Sequence, residues 1–223
     1  MHTDDLIEHL ARTIEPVEPL AHPWRRTAAW VAATVAYLFA LVLLMSPAGN
    51  AGGEMTRVSQ WLPQLIAALV GLSAAVAALA TTVPGLSSRT PLWALAAGMA
   101  WVAVLVFGTF RESSALEATR LYAEHEWACV AMIGLGGLVP LALMIRMLRQ
   151  GAPLSPRLTC ALGALATAAL ANVGACLRYP HPSSAVVLLW HGATVAVLVT
   201  LAAWAGPRVF SWERLRRASN ARA

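Results

Sequence analysis

Six apolar runs, each about 20 residues long, constrain this chain more than any other feature of its sequence. They extend from about Thr27 to Ser46, Trp61 to Val83, Pro91 to Phe110, Trp127 to Met147, Leu158 to Leu177 and Ala185 to Gly206. A run of that length lets an α-helix cross a hydrocarbon core of roughly 30 Å with every backbone N–H and C=O satisfied inside the segment. Charged residues make up 12% of the chain, half of the roughly 25% found in soluble domains, so in water the apolar surface would have no polar cover. The expected fold class is all-α: an integral membrane bundle of six transmembrane helices, preceded by a short cytoplasmic amphipathic helix. Turn residues separate the runs, among them Pro47 with Gly49, Pro84 with Gly85, Gly151 with Pro153, and Pro180 with Pro182. Trp24, Trp61, Trp127 and Trp212 fall near run ends, where interfacial aromatics anchor a helix.

Arginine placement gives an orientation. With the N-terminus inside, only Arg57, Arg111, Arg120 and Arg178 of the sixteen basic residues fall outside, and the other twelve fall inside. The expected location is therefore a bacterial inner membrane, multi-pass, with both termini cytoplasmic. The expected division is 1–24 as a cytoplasmic tail, 25–206 as the transmembrane domain and 207–223 as a basic cytoplasmic tail. The start of the chain is polar and acidic, so no cleaved leader is expected.

No Asp or Glu falls in the middle of a run, which argues against a proton relay or ion path. The polar residues inside are few: Gln64, Asn172, His191 and scattered Ser and Thr. Gly134, Gly136, Gly137, Gly163 and Gly174 are expected to let helices pack closely.

The tail before the first run has its own pattern. Asp5 can cap a helix, with Glu8 three residues on. Leu6, Ile7, Leu10 and Ile14 recur at helical spacing and form one apolar stripe. Pro16 and Pro19 end the helix and stiffen the connector. Asp4, Asp5, Glu8, Glu15 and Glu18 against Arg12 make the segment acidic, so anionic lipid should repel it. Either a basic protein partner receives the stripe, or the tail is simply solvated.

Three cysteines remain to be placed. Cys160 begins the fifth run and is expected to be a small packed residue. Cys129 and Cys176 both fall at the outer face, near His125, His181 and His191. Thiolate and imidazole together favour soft or borderline metals, and two close thiols can oxidise to a disulfide. The spacing matches no standard metal motif, so unconnected helix-end cysteines are the alternative.

At this point a resemblance enters. The tail Asp5-Leu6-Ile7-Glu8-His9-Leu10-Ala11, then Glu15-Pro16-Val17 and the Pro23-Trp24-Arg25-Arg26 entry, resembles the NrsF-type anti-sigma factors. Cys129, Pro140, Pro153, Pro156, Cys176 and His191-Gly192 follow in the family's order. The resemblance implies a six-helix membrane protein that holds an extracytoplasmic-function sigma factor inactive. It implies a sensor of heavy metal or oxidant at Cys129 and Cys176, and sigma-factor binding by the tail at Leu6, Ile7 and Leu10, to which the residue pattern adds Asp5, Glu8 and Ile14. The tail is short for such a role, so inner loops and the segment Arg214 to Arg222 are expected to contribute. His125, His181 and His191 as ligands are read from the residues, not from the family.

The implied partners are the cognate sigma factor and the bilayer, with no direct nucleic-acid binding. No constitutive cofactor is expected; a heavy-metal ion would bind transiently at Cys129 and Cys176. The protein is expected not to be an enzyme. The competing readings are a small membrane transporter, which the lack of intramembrane charge disfavours, and a thiol oxidoreductase, which lacks the usual CxxC. A plain membrane scaffold would make both outer cysteines dispensable.

Overall fold

A computed structural model describes residues 5, 7, 8, 20–45, 58–83, 89–111, 123–151, 153–179 and 184–210, with only the backbone of 58–60 and 123–128. Among the described residues the chain is helical, with no strand. Six long helices are present: α1 Pro23–Met45, α2 Val58–Ala80, α3 Thr90–Arg111, α4 Ala123–Leu148, α5 Pro156–Arg178 and α6 Ser184–Val209. Each is long and apolar enough to cross a membrane. Each covers one expected run, and α4 starts four residues earlier than expected, which adds Glu124, His125 and Glu126 to its first turns. Asp5, Ile7 and Glu8 are helical and exposed, as the tail pattern predicts. Leu6, Leu10, Ile14 and the segment Arg214 to Arg222 lie outside the described residues.

The helices alternate in direction. The start of α1 meets the ends of α2 and α4, the end of α2 meets the start of α5, and α1 and α5 end together. The bundle thus has a proximal end, where the chain enters α1, and a distal end. Phe39, Leu44, Trp93, Phe110, Leu138 and Trp204 stand exposed on its flanks. Leaving each such side chain in water forgoes roughly 1.5–3 kcal/mol, and a hydrocarbon surround removes that cost.

The core is built around α5. Of its most apolar window 78% is buried, against 11% for α1 and for α3. It packs against α1, α2, α4 and α6. Lipid supplies no hydrophobic force between helices, so close approach through small residues must hold them. The buried face of α5 supplies it with Gly163, Ala164, Ala166, Thr167, Ala171 and Gly174. Leu38 of α1 seats against Gly136 of α4 and Gly174 of α5. A Cβ on Gly206 would lie 2.6 Å from the Pro156 carbonyl oxygen, because the end of α6 presses on the start of α5. Gly206→Ala is therefore expected to cost about 1–3 kcal/mol by overpacking. Gly134→Ala, where an added Cβ meets nothing within 4 Å, should cost nothing measurable. Thermal unfolding of the two variants in detergent checks this; equal midpoints would disprove the close contact.

A polar seam joins α1 to α4. Arg26 donates through Nη2 to the Met147 carbonyl and through Nη1 to Thr82 Oγ1 of the α2 end at 3.3 Å. Trp30 Nε1 donates to the Pro140 carbonyl at 2.9 Å, and the Tyr37 hydroxyl donates to the Leu135 carbonyl at 3.0 Å. Arg26 is buried, so its charge is met by protein rather than by lipid headgroups. Its guanidinium sits at the negative ends of two helix dipoles, where a cation is stabilised. At the distal end, Arg178 of α5 donates to the Met45 carbonyl with Nε at 3.2 Å and Nη2 at 3.1 Å. Helix α1, the one the tail enters, is thereby tied at both ends.

Candidate functional site

The distal end holds the residues with chemistry. Helix α6 opens with Ser184–Val186, passes through a π-helical turn at Val187–His191 and resumes as α-helix from Gly192 to Val209. Such single turns re-aim side chains and recur at functional sites. Here the turn carries His191 at its last position, with the side chain fully buried against α5.

On α5, Asn172 and Cys176 are four residues apart and so share one face. His191 Nδ1 lies 2.6 Å from Asn172 Oδ1 and 3.5 Å from Cys176 Sγ. Cys176 Sγ lies 3.9 Å from the same Asn172 oxygen. All three side chains are buried. An amide oxygen only accepts, so the short contact puts the ring proton on Nδ1 and leaves the lone pair on Nε2. Asn172 thus fixes the tautomer and orientation of a buried imidazole beside a thiol.

Cys129 belongs to the same layer. It is fully buried, nearly two turns into α4. One turn on, Met132 and Ile133 pack with Ala171 and Ala175 of α5, which flank Asn172 and Cys176 in sequence. Helix α4 also touches the π turn. None of the three cysteines is in a disulfide. Cys160 is buried at the opposite end of α5 among Ala and Leu residues, as expected of a packed thiol.

Of the five residues expected at the sensor, the structure brings Cys176 and His191 together and puts Cys129 at the same end. The side chain of His125 and all of His181 lie outside the described residues. Among the described residues no group of three or more His, Cys, Asp or Glu is placed to hold a metal ion. What is present is a buried thiol and a buried imidazole side by side. Sequence reasoning missed two features: Asn172 as the partner of His191, and the π turn. A lone Asn one helical turn before a Cys, in an otherwise apolar span, was the available signal for the first.

A family model described as NrsF, negative regulator of sigma F, matches residues 10–212, nearly the whole chain. The match takes in Cys129, Asn172, Cys176 and His191, and it begins after the Asp5–Glu8 stretch of the tail. No curated protein and no solved structure matches the chain.

Proposed function

The chain belongs to the NrsF family of negative regulators of sigma F, and from that membership we propose a membrane-held anti-sigma factor whose distal thiol–imidazole cluster senses heavy metal or oxidant. The orientation is the one arginine placement favours, with the tail cytoplasmic and the cluster near the periplasm. The partner is an extracytoplasmic-function sigma factor. Its DNA-facing surfaces must be basic, because phosphate contacts dominate promoter affinity. The acidic tail with its apolar stripe suits that surface. No catalytic step is required of the protein, and no resident cofactor.

The observation that carries the sensing half is the buried Asn172–Cys176–His191 cluster on a helix irregularity. A soft ion bridging Cys176 Sγ and His191 Nδ1 displaces the thiol proton and sends the Nδ1 proton to Nε2, which breaks the Asn172–His191 hydrogen bond. An oxidant acts on the thiol instead. Either event repacks α5 against α4 and the π turn. Helix α1 is the element placed to carry the change to the tail. It is bonded to α4 by the Arg26, Trp30 and Tyr37 seam and to the end of α5 through Arg178, two residues beyond Cys176. Coupling of this kind needs a packing with two states that both sites bias. Close-packed helices that cannot deform continuously supply one.

Co-purification tests the reading. The full chain in detergent is expected to retain its sigma factor, and mercuric chloride or hydrogen peroxide is expected to release it. If the sigma factor is never retained, the anti-sigma reading fails. Retention that neither reagent disturbs would remove the sensing half alone.

A further inference from the structure

A cavity of about 760 Å³ lies between α2, α3, α5 and α6, with Asn172 in its wall, and its walls are almost wholly apolar. It exists because α3 meets α6 mainly along Ser184–His191; past the π turn the two helices separate. The mouth is flanked by Leu95 and Met99, whose side chains are exposed on the flank that lipid covers. Its volume is in the range that encloses a small organic ligand.

Two observations give the cavity a chemistry. Asn172 and Trp101 both line it, and Asn172 Nδ2 and Trp101 Nε1 are buried N–H groups with no hydrogen-bond partner among the described residues. Buried donors are normally paired, and a specific exception asks for a cause. Both nitrogens lie in the wall rather than on its surface, so a small side-chain rotation is needed to present them. What they require is an acceptor. An ionised one is costly inside an apolar wall at this depth, whereas a neutral carbonyl oxygen has two lone pairs and can take both. The second observation concerns glycine. Most other glycines in this bundle admit a neighbour, as Gly71 admits Leu170 and Gly163 admits Met144; Gly134 is also open but lies outside the cavity. Gly98 and Gly192 line the cavity, and a Cβ on either would meet nothing within 4 Å. They keep space open where no side chain of this chain enters.

We propose that this cavity is a binding site for a lipid-soluble molecule that bears a neutral carbonyl oxygen, entered from the bilayer between α3 and α6. The carbonyl accepts from Asn172 and Trp101, and the apolar body lies along the remaining wall. Two membrane sources share this chemistry: an isoprenoid quinone and an acyl ester of a lipid. The site adjoins the Asn172–His191 pair but stands independently of any role in sensing.

The test uses the full chain, stripped of lipid in detergent. Decylbenzoquinone, methyl oleate and hexadecane are titrated separately, and bound probe is extracted and quantified by mass spectrometry. At least one carbonyl probe should saturate at one per chain, at least tenfold tighter than hexadecane. Quinone alone, ester alone or both would each support the site and identify the source. Gly98→Leu and Gly192→Leu, whose Cβ atoms meet nothing within 4 Å and whose side chains take up cavity space, should weaken that binding at least tenfold. Gly134→Leu, equally open but outside the cavity, should not. Trp101→Phe keeps the ring and loses the donor, so it should erase part of the advantage over hexadecane; Asn172→Leu should do the same. Binding no tighter than hexadecane would overturn the proposal and leave a slot for acyl chains. Undiminished binding in both glycine variants, with melting midpoints unchanged, would overturn it as well.

Discussion

Replacing Leu6, Ile7 and Leu10 with aspartate is expected to abolish capture of the sigma factor by an otherwise intact membrane bundle. The three residues recur at helical spacing in the sequence, and the described residues of that segment, Asp5, Ile7 and Glu8, are helical with Ile7 59% exposed. An exposed isoleucine on an acidic helix is a contact awaiting a partner or a solvated accident, and the substitution decides which. Each buried apolar side chain contributes roughly 1.5–3 kcal/mol, so losing three weakens binding by roughly a thousandfold or more. Added negative charge does not rescue an apolar groove. The measurement is a binding isotherm of the solubilised protein against labelled sigma factor. An affinity within a few-fold of wild type would move the contact to the inner loops or to Arg214–Arg222.

Cys176→Ser is expected to remove the response to inducer while leaving the sigma factor bound. Serine is close in size and keeps a hydroxyl beside Asn172, but it is a hard, weakly acidic ligand that neither holds a soft ion nor oxidises. The expected shift is at least tenfold in the mercuric chloride or peroxide concentration that releases half of the sigma factor. Cys129→Ser should behave in the same direction. Cys160→Ser, at the far end of α5, should respond as wild type does. A normal response in the Cys176→Ser protein would dissociate the buried cluster from sensing and leave the anti-sigma role standing.

The six helices were legible because the requirement behind them is simple. A bilayer asks for about 20 apolar residues and internal hydrogen bonding, and a sequence meets that demand span by span. Their arrangement was not legible. Nothing in Leu158 to Leu177 announces a central helix; the small residues that fit it for the centre make it look the least apolar of the six. Cys129, Cys176 and His191 could be assigned to one end of the bundle from run order alone. Asn172 could not be joined to His191, since that contact depends on how α5 and α6 are rotated. The π turn was equally hidden, because Val187-Leu188-Leu189-Trp190 reads as uninterrupted helix. Arg26 shows a second limit of sequence reading: it buries its guanidinium against the ends of α2 and α4, a placement set by tertiary contact and not by hydropathy.

The central position of α5 bears on how the protein is made. A span leaves the insertion machinery for lipid in proportion to its own apolarity, and α5 is the weakest of the six on that measure. Three of the helices it packs against, α1, α2 and α4, precede it in the chain and are synthesised first. They present a slot already lined for a narrow helix, with Gly71, Gly136 and Leu38 on its walls. A slot lined this way suits the fifth span better than lipid does, and α6 covers its remaining side. A chain cut before the sixth span would leave its least apolar helix uncovered on that side.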